Sequence, residues 1–308
     1  SYLILGLTYY LLFWSDFVAF RPGMDAMTYG ALAKHMLTSG DWAVPHYTAQ
    51  AYTNFFQHPP LALWMMAATM KVFGTEPDWV LKILPAIVGG FGAIGVYRIG
   101  RRLRGESFAF LATLILLTSI RFAKYSRGFM LDPFLATFSV WALEFAFLAR
   151  NDARGRLGKS AISGLFVACA FLSKGLFAFA PLMVIALLFG IDFEIERRAH
   201  ARKRITGFLI ALAMPFAIWF AFGGAKTYLI HYYSEHVAER IGPHPLMDHF
   251  GPLLNLLKVY WPWLPFFLYG IWRSVRALGD PGKREESAVL AMALAYIGGF
   301  CLVASFLE

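Results

Sequence analysis

A chain of 308 residues that is 58% hydrophobic and 17% aromatic, with a mean hydropathy of +0.56, is too apolar for an ordinary soluble domain. Its net charge of +9 and pI near 9.6 would suit a nucleic-acid partner. The basic residues instead gather in short segments between apolar runs, as in the cytosolic loops of a polytopic membrane protein. Cys169 and Cys301 fall in separate apolar runs without CxxC spacing. They read as small packing residues, with no disulfide or thiol metal site implied.

The first apolar run, 2–20, is expected to span a bilayer. No signal-peptide pattern is visible, and residue 1 already lies in the apolar run. The chain stops at Phe306-Leu307-Glu308, directly after another span. Both ends are therefore expected to be trimmed. A long polar interruption follows the first span. Within it, residues 24–38 predict an amphipathic helix at the membrane interface, with Met24, Met27, Ala31 and Met36 on one side. Residues 61–73 are apolar but number only about 13, short of the roughly 20 that a span needs.

Topology decides what 61–73 is. If it does not cross, the remaining spans fall at 79–98, 106–122, 132–149, 159–173, 175–190, 205–222, 253–272 and 287–305. Seventeen of the 28 Lys and Arg residues then sit in four short loops on one side, around Arg98–Arg104, Arg150–Lys159, Arg197–Arg204 and Arg273–Arg284. A crossing at 61–73 would scatter those clusters over both faces. Residues 61–73 are therefore read as an interfacial or re-entrant helix. The fold class expected is all-α, a single transmembrane domain over 1–308 with large extracytoplasmic loops at 21–78 and 223–252. Seven of the eight histidines fall on that outer side. Gly89, Gly90, Gly92 and Gly95 read as close helix packing.

Ionisable groups at the membrane edge are costly and usually have a reason. Asp25 follows Pro22-Gly23 at a helix start, and a favourable N-terminal helix charge would account for it as well as chemistry would. Asp132 precedes Pro133 at the start of a span, a natural helix cap. Arg121, Lys124 and Arg127 recur every three residues and are expected to share a helix face. They would either snorkel to headgroups or bind an anionic headgroup such as a lipid phosphate. Lys174 stands alone in FLSKGLF, where a cation needs a cavity or a phosphate. His236, His244 and His249 with Glu239 or Asp248 form a weak metal candidate, because no HExxH or comparable spacing is present. Glu144 is the acid inside a span. No GxSxG, Walker A or Rossmann glycine pattern occurs.

Several motifs coincide in order. Asp25 has Tyr29 four residues on, and Gly40-Asp41-Trp42-Ala43-Val44-Pro45-His46-Tyr47 follows. Next come His58-Pro59-Pro60-Leu61-Ala62-Leu63-Trp64 and Val72-Phe73-Gly74. Val96-Tyr97-Arg98-Ile99-Gly100-Arg101-Arg102-Leu103 ends a span. Ser126-Arg127 leads to Asp132-Pro133, then come Leu172-Ser173-Lys174-Gly175, Glu235-His236 with Arg240, and His244-Pro245. In this ordered set the chain resembles the glycosyltransferase C superfamily, near the bacterial dolichyl-phosphate-mannose protein mannosyltransferase-like and lipid A aminoarabinose transferase-like branches. It departs in having Ala26 where many relatives carry a second acid. His58 stands where they carry a lysine, so a permanent cation is replaced by one that titrates near neutrality. Relatives usually continue into further spans.

The resemblance implies an inverting glycosyltransferase of the bacterial inner membrane, with its active site on the extracytoplasmic face. The donor would be a polyprenyl-phosphate sugar and the acceptor a lipid, protein or glycan. Asp25 is the expected base, with Asp132 second or orienting the outer loop. His58, Arg127, Lys174 and Arg240 are expected to hold the leaving phosphate, and Tyr29 to line the sugar site. The scheme requires no metal or other cofactor. A transporter or flippase of polyprenyl-linked sugars, and an oligosaccharide ligase or polymerase, remain alternatives.

Overall fold

The computed structural model describes residues 2–15, 21–47, 55–75, 78–151, 155–195, 198–221, 224–234, 254 and 263–276. The helices are α1 (Tyr2–Phe13), α2 (Met24–Ser39), α3 (Leu61–Phe73), α4 (Val80–Arg104), α5 (Glu106–Thr118) and α6 (Ile120–Tyr125). They continue as α7 (Asp132–Asn151), α8 (Arg156–Lys174), a 3₁₀ turn at Gly175–Ala178, α9 (Phe179–Ile195), α10 (Arg198–Ala221), α11 (Gly224–Tyr232) and α12 (Leu264–Arg276). The fold is all-α and polytopic. Among the described residues, the stretches Val80–Arg104, Asp132–Arg150, Arg156–Phe189 and Ala201–Ala221 are long and apolar enough to cross a membrane.

The expected spans 79–98, 132–149, 159–173, 175–190 and 205–222 recur as helices with shifted ends, whereas the first helix is described only over Tyr2–Phe13 and part of the expected span 253–272 lies outside the described residues. α4 runs to Arg104 and α10 begins at Arg198, because a helix continues past the apolar boundary until a glycine or polar break stops it. Gly105, at φ +81°, is such a stop, its N–H reaching Arg101 O at 3.0 Å. The expected span 106–122 is broken after Thr118, where Ser119 is extended, and α6 follows. The expected span 287–305, with Cys301, lies outside the described residues. Cys169 packs beside the largest apolar core, as its sequence setting suggested.

α4 and α7 meet at near backbone contact. A Cβ on Gly92 would lie 2.5 Å from Thr137 Oγ1, and one on Gly95 2.6 Å from Val140 Cγ1. The close approach lets the Thr137 hydroxyl donate to Val88 O at 2.9 Å. Small residues let helices do this where there is no water to drive association.

The chain reverses after α8. Val184, Ile185, Leu188 and Phe189 of α9 share a buried cluster with Ala142, Ala146 and Phe147 of α7. Arg204 of α10 lies over the Phe189 ring at 5.4 Å. α9 therefore returns toward the basic end from the Lys174 end, which confirms the break expected at Lys174-Gly175.

The helices of the first loop are anchored to the bundle. α3 has the predicted bounds. Pro60 precedes it, fixing φ and lacking an N–H where none is needed. Leu32, Met36, Leu63 and Met66 are fully buried in a core shared with Val88 of α4, Phe134 of α7 and Ala170 of α8. Taking such a side chain out of water contributes about 1.5–3 kcal/mol. The expected face of α2 needs correction. Met36 is buried, but Met24 and Met27 are exposed at 84% and 59%. Ala26, Gly30, Leu32 and Ala33 face the core instead, because the small residues allow close packing on α3 and α4.

Candidate active site

Three segments far apart in sequence supply the groups around Tyr29. α2 places Asp25 in its first turn and Tyr29 one turn later, so both project to one side. The Tyr29 ring meets Phe55 at 6.2 Å, His58 at 5.9 Å and Phe129 at 6.1 Å, each nearly edge-on. These neighbours come from the segment before α3 and from the turn after α6. Burial raises the Tyr29 phenol well above its ordinary pKa, and the nearby negative charges of Asp25 and Asp132 add to this. Tyr29 therefore remains a protonated donor at neutral pH, with two carboxylates acting on it.

Asp132 opens α7. Its Oδ1 accepts from Lys174 Nζ at the end of α8 in a tight ion pair. The side chains are 37% and 19% exposed, so the pair is not fully buried. Lys174 Nζ also lies 5.6 Å from the centre of the Phe177 ring, a favourable place for a cation. Lys174 is expected to reach a cavity or a phosphate, and the structure instead pairs it with a carboxylate of the protein itself.

Gly175 has φ +64°, which a side-chain-bearing residue tolerates poorly. A Cβ there would also fall 2.7 Å from the Tyr232 hydroxyl and 3.7 Å from Pro59 Cδ. The Lys174-Gly175 corner, His58-Pro59 and α11 thus converge. Phe56 stacks on His231 at 4.4 Å with an 8° interplanar angle, fastening α11 to the first loop. Sequence reading did not single out Phe55, Phe129, His231 or Tyr232. In a chain with 30 Phe and 14 Tyr residues, an aromatic carries no local signal of its neighbours.

Arg127 lies in the turn just past α6, two residues before Phe129. The expected common helix face of Arg121, Lys124 and Arg127 does not form. α6 ends at Tyr125, and Arg121 turns to the Tyr125 hydroxyl at 2.5 Å. Arg240, Glu239, Asp248, His236, His244 and His249 lie outside the described residues. Among the described residues no group of three or more His, Cys, Asp or Glu could hold a metal ion.

Glu144 lies inside the span expected for it, in the stretch Asp132–Arg150. Its side chain is fully buried, and Oε1 accepts from Arg98 Nε at 3.1 Å and Arg102 Nη2 at 2.9 Å. It is a paired group near the basic end of α4, twelve residues along α7 from Asp132. That separation is about 18 Å at 1.5 Å per residue.

A family model described as dolichyl-phosphate-mannose-protein mannosyltransferase matches residues 57–219. An undecaprenyl phosphate-alpha-4-amino-4-deoxy-L-arabinose arabinosyl transferase of Pseudomonas fluorescens is 30% identical over 269 residues, covering 83% of this chain and 47% of the relative. A second such transferase from that species is 26% identical over 250 residues, covering 79% of this chain and 43% of the relative. The chain thus spans about half the length of these relatives. The crystal structure of ArnT from Cupriavidus metallidurans bound to undecaprenyl phosphate superposes with a TM-score of 0.72 at 20% identity, covering 99% of this chain and 58% of that one. At that identity the likeness speaks for the fold.

Proposed function

The chain belongs to the dolichyl-phosphate-mannose-protein mannosyltransferase family, and on that premise we propose that it forms the catalytic half of a glycosyltransferase that takes its sugar from a polyprenyl-phosphate carrier. The observation that carries the proposal is that the charges of Asp25 and Asp132 both act on one half-buried tyrosine, Tyr29, with Asp132 tied to Lys174. Such transfer needs a base for the acceptor hydroxyl and fixed positive charge for the leaving phosphate.

Asp25 is the base. It is exposed, whereas the Asp132 carboxylate is occupied by Lys174. In the reaction the acceptor oxygen attacks the anomeric carbon as its proton passes to Asp25. The bond from that carbon to the phosphate oxygen breaks, and the electron pair leaves on the lipid phosphate. Attack opposite the leaving group inverts the anomeric centre. Lys174, His58, Arg127 and Arg240 stabilise the charge that gathers on the phosphate. Tyr29 donates its retained phenolic proton to the sugar or its phosphate. Asp132 positions Lys174. The lipid tail lies in the bilayer and the site faces the extracytoplasmic side of a bacterial inner membrane. The acceptor is a lipid, protein or glycan.

The relatives' named donors, undecaprenyl phosphate-linked aminoarabinose, support this donor class. A carrier that moves lipid-linked sugars across the membrane would favour charges along the midplane. Glu144, a mid-span acid, is instead paired with two arginines.

The test is mass spectrometry of membrane lipids and proteins from cells with and without the protein, which identifies the molecule that loses a sugar. Asp25→Ala should abolish transfer, by at least about 10²-fold, while leaving thermal stability unchanged. Full activity in that variant would remove Asp25 as the base.

A further inference from the structure

At the end of α4 and α7 remote from Asp132, Arg98, Arg101, Arg102 and Glu144 line a pocket. We propose that this pocket binds the phosphate of an anionic lipid headgroup. It stands apart from the candidate active site and does not depend on its chemistry.

Two guanidinium groups in it are held in place. Glu144 Oε1 takes one N–H from Arg98 and one from Arg102, and Arg98 also lies over the Trp141 ring at 5.7 Å. Trp141 in turn is fixed by its Nε1 donating to Phe91 O at 2.9 Å and by stacking on Phe91 at 4.3 Å. A guanidinium has five N–H donors, so Glu144 uses only part of each set. The side chains of Arg98 and Arg102 stay 43% and 28% exposed. Arg101, at 54%, reaches Glu106 only loosely at 3.8 Å. Three cations thus face one lining carboxylate, and the excess charge is positive. A rigid fork of N–H donors matches a phosphate better than a lysine would. Glu144 itself repels a phosphate. Its burial behind the two arginines makes it the group that aims them.

The surroundings favour a lipid over a free anion. Phe91 and Ile94 of α4 and Phe108 and Leu111 of α5 are exposed at 39%, 56%, 42% and 41%. In a bundle that crosses a membrane these side chains face acyl chains; Phe91 and Ile94 lie on α4, the helix that carries the arginines, and Phe108 and Leu111 on α5, which follows it. A phosphate in the pocket would have its tails alongside them. The positive-inside bias puts this end in the cytosolic leaflet, where basic pockets between helices meet anionic headgroups.

A general basic surface would attract anionic lipid without a defined site, and the two cases separate experimentally. The purified full chain in neutral detergent is titrated with short-chain phosphatidylglycerol, short-chain phosphatidylcholine and inorganic phosphate, with binding read by native mass spectrometry and thermal shift. Phosphatidylglycerol should bind saturably, with one lipid retained in preference to phosphatidylcholine. Arg101→Gln, which leaves the Arg98–Glu144–Arg102 clamp intact, should weaken that binding about tenfold. Arg104→Gln, on the same helix end but outside the pocket, should not. If Arg101→Gln disturbs folding, Arg98→Lys keeps the charge, loses the fork and should weaken binding likewise. Equal loss from Arg101→Gln and Arg104→Gln, or no preference over phosphatidylcholine, would overturn the site. Saturation by inorganic phosphate at the same concentrations would overturn the lipid assignment and leave a free-phosphate site.

Discussion

Lys174 and Asp132 hold each other, so under the proposed function the cation offered to a leaving phosphate would be shared with a carboxylate. Lys174→Met is expected to reduce kcat about 10²–10³-fold, the usual loss for one preorganised charge at a developing anion. Asp132→Asn frees the lysine but loosens its aim. If the two act as a unit, the double variant should lose no more than Lys174→Met alone. Simple additivity of the two losses in single-turnover assays would separate their roles. His58 makes a second prediction at this scale. His58→Ala should raise KM for the lipid-phosphate donor or lower kcat if the imidazole holds the leaving phosphate. Unchanged steady-state kinetics in that variant would remove His58 from phosphate binding.

Among the elements, the α4–α7 contact sets the geometry of both ends of the bundle. α7 carries Asp132 at one end and Glu144 toward the other, and α4 supplies Arg98 and Arg102. The glycine face of α4 fixes the depth of that contact. Gly92→Val should cost about 1–3 kcal/mol by overpacking against Thr137, seen as a lower melting temperature in detergent. Gly158→Ala is the control, since nothing lies within 4 Å of its added Cβ. A Gly92→Val protein that melts with the wild type would show that α4 and α7 sit further apart. The same reasoning explains α3. Its buried residues Ala62, Leu63, Met66, Ala67 and Met70 recur at helical spacing, so a helix too short to cross is held by protein on one side.

Across the whole molecule, the arginine-rich end and the Asp132–Lys174 end point in opposite directions, because α7 runs from one toward the other. With Cys169 and Cys301 replaced by Ala, single cysteines report the orientation. Lys124→Cys should react with an impermeant thiol reagent added outside intact cells. Leu157→Cys, at a position 52% exposed, should react only after permeabilisation. Labelling of both from the same side would contradict the topology.

The sequence by itself determined the membrane class, the rough placement of the long apolar helices α4, α7, α8 and α10, the bounds of α3 and the tight corner at Lys174-Gly175. Run length, loop charge, glycine and proline act locally, so each is readable within a few turns of chain. The family followed from an ordered set of such local motifs. Only the tertiary structure decided that Lys174 meets Asp132 across 42 residues, that Glu144 clamps Arg98 across 46, and that α2 buries Ala26 and Ala33 while exposing Met24 and Met27. Which side chain answers a buried charge depends on how far one helix slides and turns against another. That depends on the summed fit of many small contacts, and no single segment contains it.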